Sequence, residues 1–187
     1  VAVGDKDIIT SNDGVHWTRQ NIPQIAYLRS VYYANSTWVA VGGRDIITSN
    51  DSVHWTRQNS SQIGALYSVY YANDTWVAVG EKDIITSKNS VNWTRQNSPQ
   101  VSGLYSVYYA NGTWVAVGDK DIITSNDGVH WTRQNNIPQV SGLYSVCYAN
   151  GTWVAAGGRN IITTNDSVNW TWRNNSSQTV YLYSVYY

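Results

Sequence analysis

Apolar and polar positions along the chain follow one short pattern, written out five times. An apolar tetrad, Val-Ala-Val-Gly, begins at Val1, Val39, Val77 and Val115 and returns as Val-Ala-Ala-Gly at Val154, so the spacings are 38, 38, 38 and 39 residues. Ile8-Ile9, Ile46-Ile47, Ile84-Ile85, Ile122-Ile123 and Ile161-Ile162 keep the same phase, as do Trp17, Trp55, Trp93, Trp131 and Trp170. In the unit that begins at Leu104, the β-branched and aromatic run 104–109 predicts a strand. Asn111-Gly112 then supplies the pair of positive φ angles that a two-residue hairpin turn prefers. A second strand is predicted at 113–117, a polar turn at Asp119-Lys120-Asp121 and a third strand at 122–125. Asn126-Asp127-Gly128 forms the next turn, 129–134 the fourth strand, and 135–142, with Pro138, a longer loop. No stretch carries a helical period.

Four antiparallel strands in about 40 residues is the length of a propeller blade. Such a sheet has two apolar faces, and radial stacking buries both against neighbours. The expected fold is all-β: a five-bladed β-propeller of four-stranded antiparallel blades, forming one domain over residues 1–187. The Ile pairs and the fourth-strand Trp residues are expected in the core between blades. The chain starts inside a second strand, Val1-Ala2-Val3-Gly4, and stops at the end of a first strand that reaches Tyr187. The C-terminal strand is therefore expected to pair with the N-terminal blade and protect both edges.

Composition narrows the function. With 12 basic and 12 acidic residues the formal charge is zero, which argues against a nucleic-acid or membrane-surface binder. No apolar run approaches the ~18–20 residues of a membrane helix. The lone cysteine, Cys147, leaves no intramolecular disulfide and no multi-Cys zinc site. The chain has 10 Trp, 15 Tyr and no Phe, so every aromatic ring carries a hydrogen-bonding group.

The turn Ser11-Asn12-Asp13-Gly14-Val15-His16-Trp17 resembles the Asp-box of bacterial-neuraminidase (sialidase-like) repeats, and it recurs at 49–55, 87–93, 125–131 and 164–170. Ser52 and Ser167 replace the glycine, and Asn89 replaces the aspartate in the third copy. The resemblance implies a structural hairpin between the third and fourth strands, with Asp13, Asp51, Asp127 and Asp166 capping turn N–H groups. It is evidence for fold rather than activity. The five-bladed architecture is also similar to that of lectins of the tachylectin-2 type, although no sugar-contacting residue of theirs matches a position here.

An enzyme needs one asymmetric constellation. Here Glu81 is the only glutamate, and Arg19, Arg57, Arg95, Arg133 and Arg173 recur one per blade instead of converging. His16, His54 and His130 alternate with Asn92 and Asn169, as surface polar residues do. The expected protein is non-catalytic and needs no cofactor or metal. It is read as a secreted, multivalent carbohydrate-binding protein, a lectin whose partners are glycans on glycoproteins or cell surfaces, with no nucleic acid and no membrane insertion. Tyr and Trp offer flat faces to sugar C–H groups, and Asp, Asn, Arg and Lys read hydroxyls. Repetition adds avidity. The candidate ligand-binding residues lie in the turn between the second and third strands: Asp7, Asp45, Asp83, Asp121 and Asn160, with Lys6, Arg44, Lys82, Lys120 and Arg159. They are expected to work with a neighbouring blade's long loop. Trp172, in place of an Arg, is a further stacking surface or merely exposed. A protein-interaction or assembly-factor scaffold, or a sialidase-like glycosidase relic, is the alternative.

Overall fold

The computed structural model describes residues 1–23, 27–59, 63–99, 101–173 and 181–186. Each repeat folds as an antiparallel up-and-down sheet. Sheet I has three strands, β1 (Ala2–Gly4), β2 (Asp7–Thr10) and β3 (Thr18–Arg19). The other four sheets have four strands each. Sheet II holds β4 (Ser30–Ala34), β5 (Thr37–Gly42), β6 (Asp45–Ser49) and β7 (Thr56–Arg57). Sheet III holds β8 (Leu66–Ala72), β9 (Thr75–Gly80), β10 (Ile84–Ser87) and β11 (Thr94–Arg95). Sheet IV holds β12 (Leu104–Ala110), β13 (Thr113–Gly118), β14 (Ile122–Ser125) and β15 (Thr132–Arg133). Sheet V holds β16 (Ser145–Ala149), β17 (Thr152–Gly157), β18 (Asn160–Thr164) and β19 (Thr171–Trp172). Residues Val1–Arg95 and Gln96–Tyr187 each form a compact unit, the first with sheets I–III and the second with sheets IV and V.

Turn chemistry sets the registers. Asn35, Asn73, Asn111 and Asn150 sit at φ 47°, 47°, 49° and 48°, and the residue after each also has positive φ, as type I′ hairpins require. The four Asn-x-Thr sequences are therefore used as turns. The fourth strands are shorter than the sequence suggests, because Asp127 Oδ1 accepts the main-chain N–H groups of both Val129 and His130 at 2.8 Å. Those residues belong to the turn and cannot join the ladder, which starts at Thr132.

Period-2 alternation places successive residues against opposite neighbours. In the first unit Ile46 packs with Val39, Val41, Leu66, Val69 and Trp76, between sheets II and III. Ile47 packs the other way, with Ile8, Leu28 and Ala40. In the second unit Val115, Val117 and Ile122 of sheet IV meet Val146, Trp153, Ala155 and Ile162 of sheet V. The Ile pairs of sheets II, III and IV are buried, as expected, whereas Ile9 of sheet I is exposed. Of the fourth-strand Trp residues, Trp55, Trp131 and Trp170 are buried, Trp93 is half-buried and Trp17 is exposed. The deepest rings are on the second strands instead: Trp76, Trp114 and Trp153.

Successive sheets are joined by main-chain hydrogen bonds. Leu28 N donates to Gly4 O, Leu66 N to Gly43 O and Leu143 N to Gly118 O, at 3.1, 2.8 and 2.9 Å. Within sheet IV the entering chain runs so close that a Cβ on Gly118 would overlap the Gly103 carbonyl. The C-terminal segment follows the same rule, with Leu182 N donating to Gly158 O at 2.7 Å. The ladder expected between that segment and Val1–Gly4 is not among the described pairings, and Tyr187 lies outside the described residues. Within the described residues, segment 181–186 carries one bridge, Gly158↔Leu182.

Candidate ligand-binding grooves

The turn between second and third strands brings a cation and an acid together in sequence and then separates them in space. Lys6, Arg44, Lys82, Lys120 and Arg159 are exposed, whereas Asp45, Asp83, Asp121 and Asn160 are buried and Asp7 is half-buried. Each Asp faces inward toward the arginine of its own fourth strand: Asp7 pairs with Arg19, Asp45 with Arg57, Asp83 with Arg95 and Asp121 with Arg133, the last two at 2.5 Å. A buried carboxylate needs such a partner.

The second carboxylate oxygen holds the loop that leads into the same sheet. Asp83 Oδ2 accepts from Gly64 N at 2.5 Å. Asp121 Oδ2 accepts from both the main-chain N–H and the hydroxyl of Ser102 at 2.9 Å. Of the aspartates expected to touch ligand, Asp83 and Asp121 are thus buried and hydrogen-bonded to the incoming loop. In sheet V both partners are different. Asn160 Nδ2 donates to Ser141 O at 3.1 Å, and Trp172 occupies the position facing Ile162 that Arg133 occupies facing Ile123. Arg173 lies one residue later, its Nε donating to Thr163 Oγ1 at 2.8 Å where the other sheets use a glutamine. Neutral Asn therefore stands where no arginine is present to neutralise Asp. Trp172 itself is partly exposed, at 37%.

Two grooves open beside these turns in the second unit. The first, about 530 Å³, runs between Lys120 and the loop residues 137–141 and ends at Asn160. The second, about 460 Å³, is walled by Tyr144, Tyr181 and Ser102, with Asp119 and Lys120 at its side. Lys120 and Ser141 line both. Tyr105 Oη donates to Asp119 Oδ1 at 2.8 Å. Its ring lies 5.3 Å from that of Tyr144, which stacks on Tyr183 at 5.8 Å and 17°. Arg159 sits 5.6 Å above the Tyr181 ring. In the first unit Arg29, at the repeat position of Tyr105 and Tyr144, lies 5.0 Å from the Tyr67 ring. The aromatic start of the first strand was not singled out from the sequence, although Tyr67, Tyr105, Tyr144 and Tyr183 share one repeat position.

The Asp turns lie at the other end of each hairpin. Asp13, Asp51 and Asp127 each accept a 2.7 Å hydrogen bond from the ring of His16, His54 or His130. That bond first, and the main-chain N–H bonds after it, hold these carboxyls well below the usual carboxylate range. Asp166 is lowered in the same direction, first by the Thr164 hydroxyl and then by Asn169. The histidine side chains are otherwise open to solvent.

No family model and no curated protein sequence matches the chain. Solved structures do. YjhT superposes with a TM-score of 0.61 over 82% of this chain and 67% of that one, at 10% identity. A GH74 enzyme from Niastella koreensis superposes with a TM-score of 0.59 over 80% of this chain, at 19% identity. This chain spans only 24% of that enzyme's length. Both neighbours are of β-propeller type, and at these identities the likeness shows the fold alone.

Proposed function

We propose that this chain is a non-catalytic carbohydrate-binding propeller of five blades in one domain, acting on glycans outside the cell. The observation that carries the reading is the tyrosine-walled groove of the second unit. It combines ring faces (Tyr144, Tyr181), hydroxyls (Ser102, Ser141), a carboxylate (Asp119) and a cation (Lys120) on a shallow surface. Sugars present the complementary set of C–H faces and hydroxyl edges. The proposed contact set keeps Lys120 and Asn160 from the expected residues and adds Asp119, with Asp121 shaping the loop.

Binding is favoured over turnover because glycoside hydrolysis uses two carboxylates flanking one bond. Asp119 is the one carboxylate among the described residues lining either groove. Repetition of the exposed turn cation in every repeat supports several weak contacts acting together. Titration calorimetry after a glycan-array screen tests the reading. Saturable saccharide binding that Tyr144→Ala weakens supports it. An array with no saccharide bound, or turnover of a fluorogenic glycoside, overturns it.

A further inference from the structure

The two grooves of the second unit differ chemically, and the difference has a direction. Among the described residues Lys120 is the only charged one lining the first groove, where its companions are the amides of Gln139 and Asn160, the Ser141 hydroxyl, and the apolar Ile137, Pro138 and Val140. Its sequence neighbour Asp121 cannot neutralise it, because that carboxylate is turned inward onto Arg133 and Ser102. The second groove is the reverse: it holds Asp119, braced by the Tyr105 hydroxyl, between Tyr144 and Tyr181. A carboxylate there accepts sugar hydroxyls and repels an anion. Lys120 stands at the junction.

We propose, building on the carbohydrate-binding reading, that the two grooves are halves of one extended site for an acidic oligosaccharide. A ring bearing a carboxylate or sulfate lies against Lys120 in the loop-walled half, and a neutral ring lies between the tyrosines. Amide N–H groups beside Lys120 suit an oxyanion. The anion-binding half is specific to this pair of sheets: its groove ends at Asn160, an amide where the other four repeats carry Asp. The copies are therefore not all equivalent sites.

The test uses disaccharides matched in linkage, one ring carrying a carboxylate, a sulfate, or a neutral hydroxymethyl group at the same carbon. Calorimetry is run on the wild type and on Lys120→Gln, whose exposed side chain leaves the fold intact, as an unchanged near-UV spectrum will verify. The acidic sugars are expected to bind about tenfold more tightly than the neutral one, with the advantage shrinking as salt rises from about 0.05 to about 0.5 M. Lys120→Gln is expected to remove that advantage, weakening the acidic sugars about tenfold more than the neutral one. Carboxylate and sulfate arms show which anion fits better. Equal affinity for acidic and neutral sugars, or a preference that survives Lys120→Gln, overturns the proposal while leaving the carbohydrate reading in place. Failure of all three sugars to bind overturns both.

Discussion

Arg133 reaches back across its sheet to the buried carboxylate of Asp121 at 2.5 Å, and through that carboxylate it holds the Ser102 loop in place. Removing the arginine leaves a buried carboxylate with no cation beside it, held by its Ser102 hydrogen bonds alone. Arg133→Ala is therefore expected to destabilise the fold by about 2 kcal/mol, less than a fully buried pair because Arg133 is half exposed. Sheet V shows how the loss can be relieved. Combining Arg133→Trp with Asp121→Asn, the pair that sheet V uses, is expected to recover at least about 1 kcal/mol relative to the sum of the single changes. Urea unfolding midpoints of the two single variants and the double variant measure this, and strict additivity would count against the clamp.

Acid should act on the Asp turns. The carboxyls of Asp13, Asp51, Asp127 and Asp166 are lowered in the folded chain, so unfolding raises their proton affinity. Their contribution is fully present above the ordinary carboxylate value near 3.8 and is lost as pH falls below it toward the shifted values. Thermal midpoints are expected to fall steeply between about pH 4 and pH 2. Asp127→Asn is expected to flatten that slope. A slope unchanged by the substitution would contradict the linkage.

The second-strand tryptophans should dominate stability. Trp153 is 1% exposed and packs against Val115, Val117 and Ile122 of the neighbouring sheet. Trp153→Ala is expected to cost about 3–5 kcal/mol, whereas Trp17→Ala, at a ring 47% exposed, is expected to cost far less. Chemical denaturation compares the two directly.

Tyr144 should matter more to binding than to folding. It is half-buried, with its ring between those of Tyr105 and Tyr183. Tyr144→Ala is expected to weaken saccharide binding roughly tenfold, as loss of a stacking contact worth about 1.5 kcal/mol implies. Calorimetric affinity set beside the thermal midpoint separates the two effects.

The strands, hairpins and sheet order were legible because they are local. Asn-Gly and Asn-x pairs dictate positive φ, and a strict repeat makes each unit confirm the others. The site was less legible because neighbours in sequence, Lys120 and Asp121, point in opposite directions across a turn. Counting an acid and a base side by side gave a clamp on ligand, where burial made one half of it a clamp on the loop. One signal of this was present in the residues. Four repeats carry Asp before the Ile pair and Arg on the fourth strand, and the fifth carries Asn160 and Trp172, so the two positions change together. The second-strand Trp rings could not be ranked above those of the fourth strand from pattern alone, because both recur with the same period.

The joints between sheets are made of peptide groups: Leu28 to Gly4, Leu66 to Gly43, Leu143 to Gly118. Main chain carries no address, so nothing at a joint records which copy must follow which. Copies are thus interchangeable at their seams, and shuffling their order would disturb no contact of this kind. Individuality lies instead in single side chains away from the seams, such as Asn160, an amide where the other four copies carry Asp.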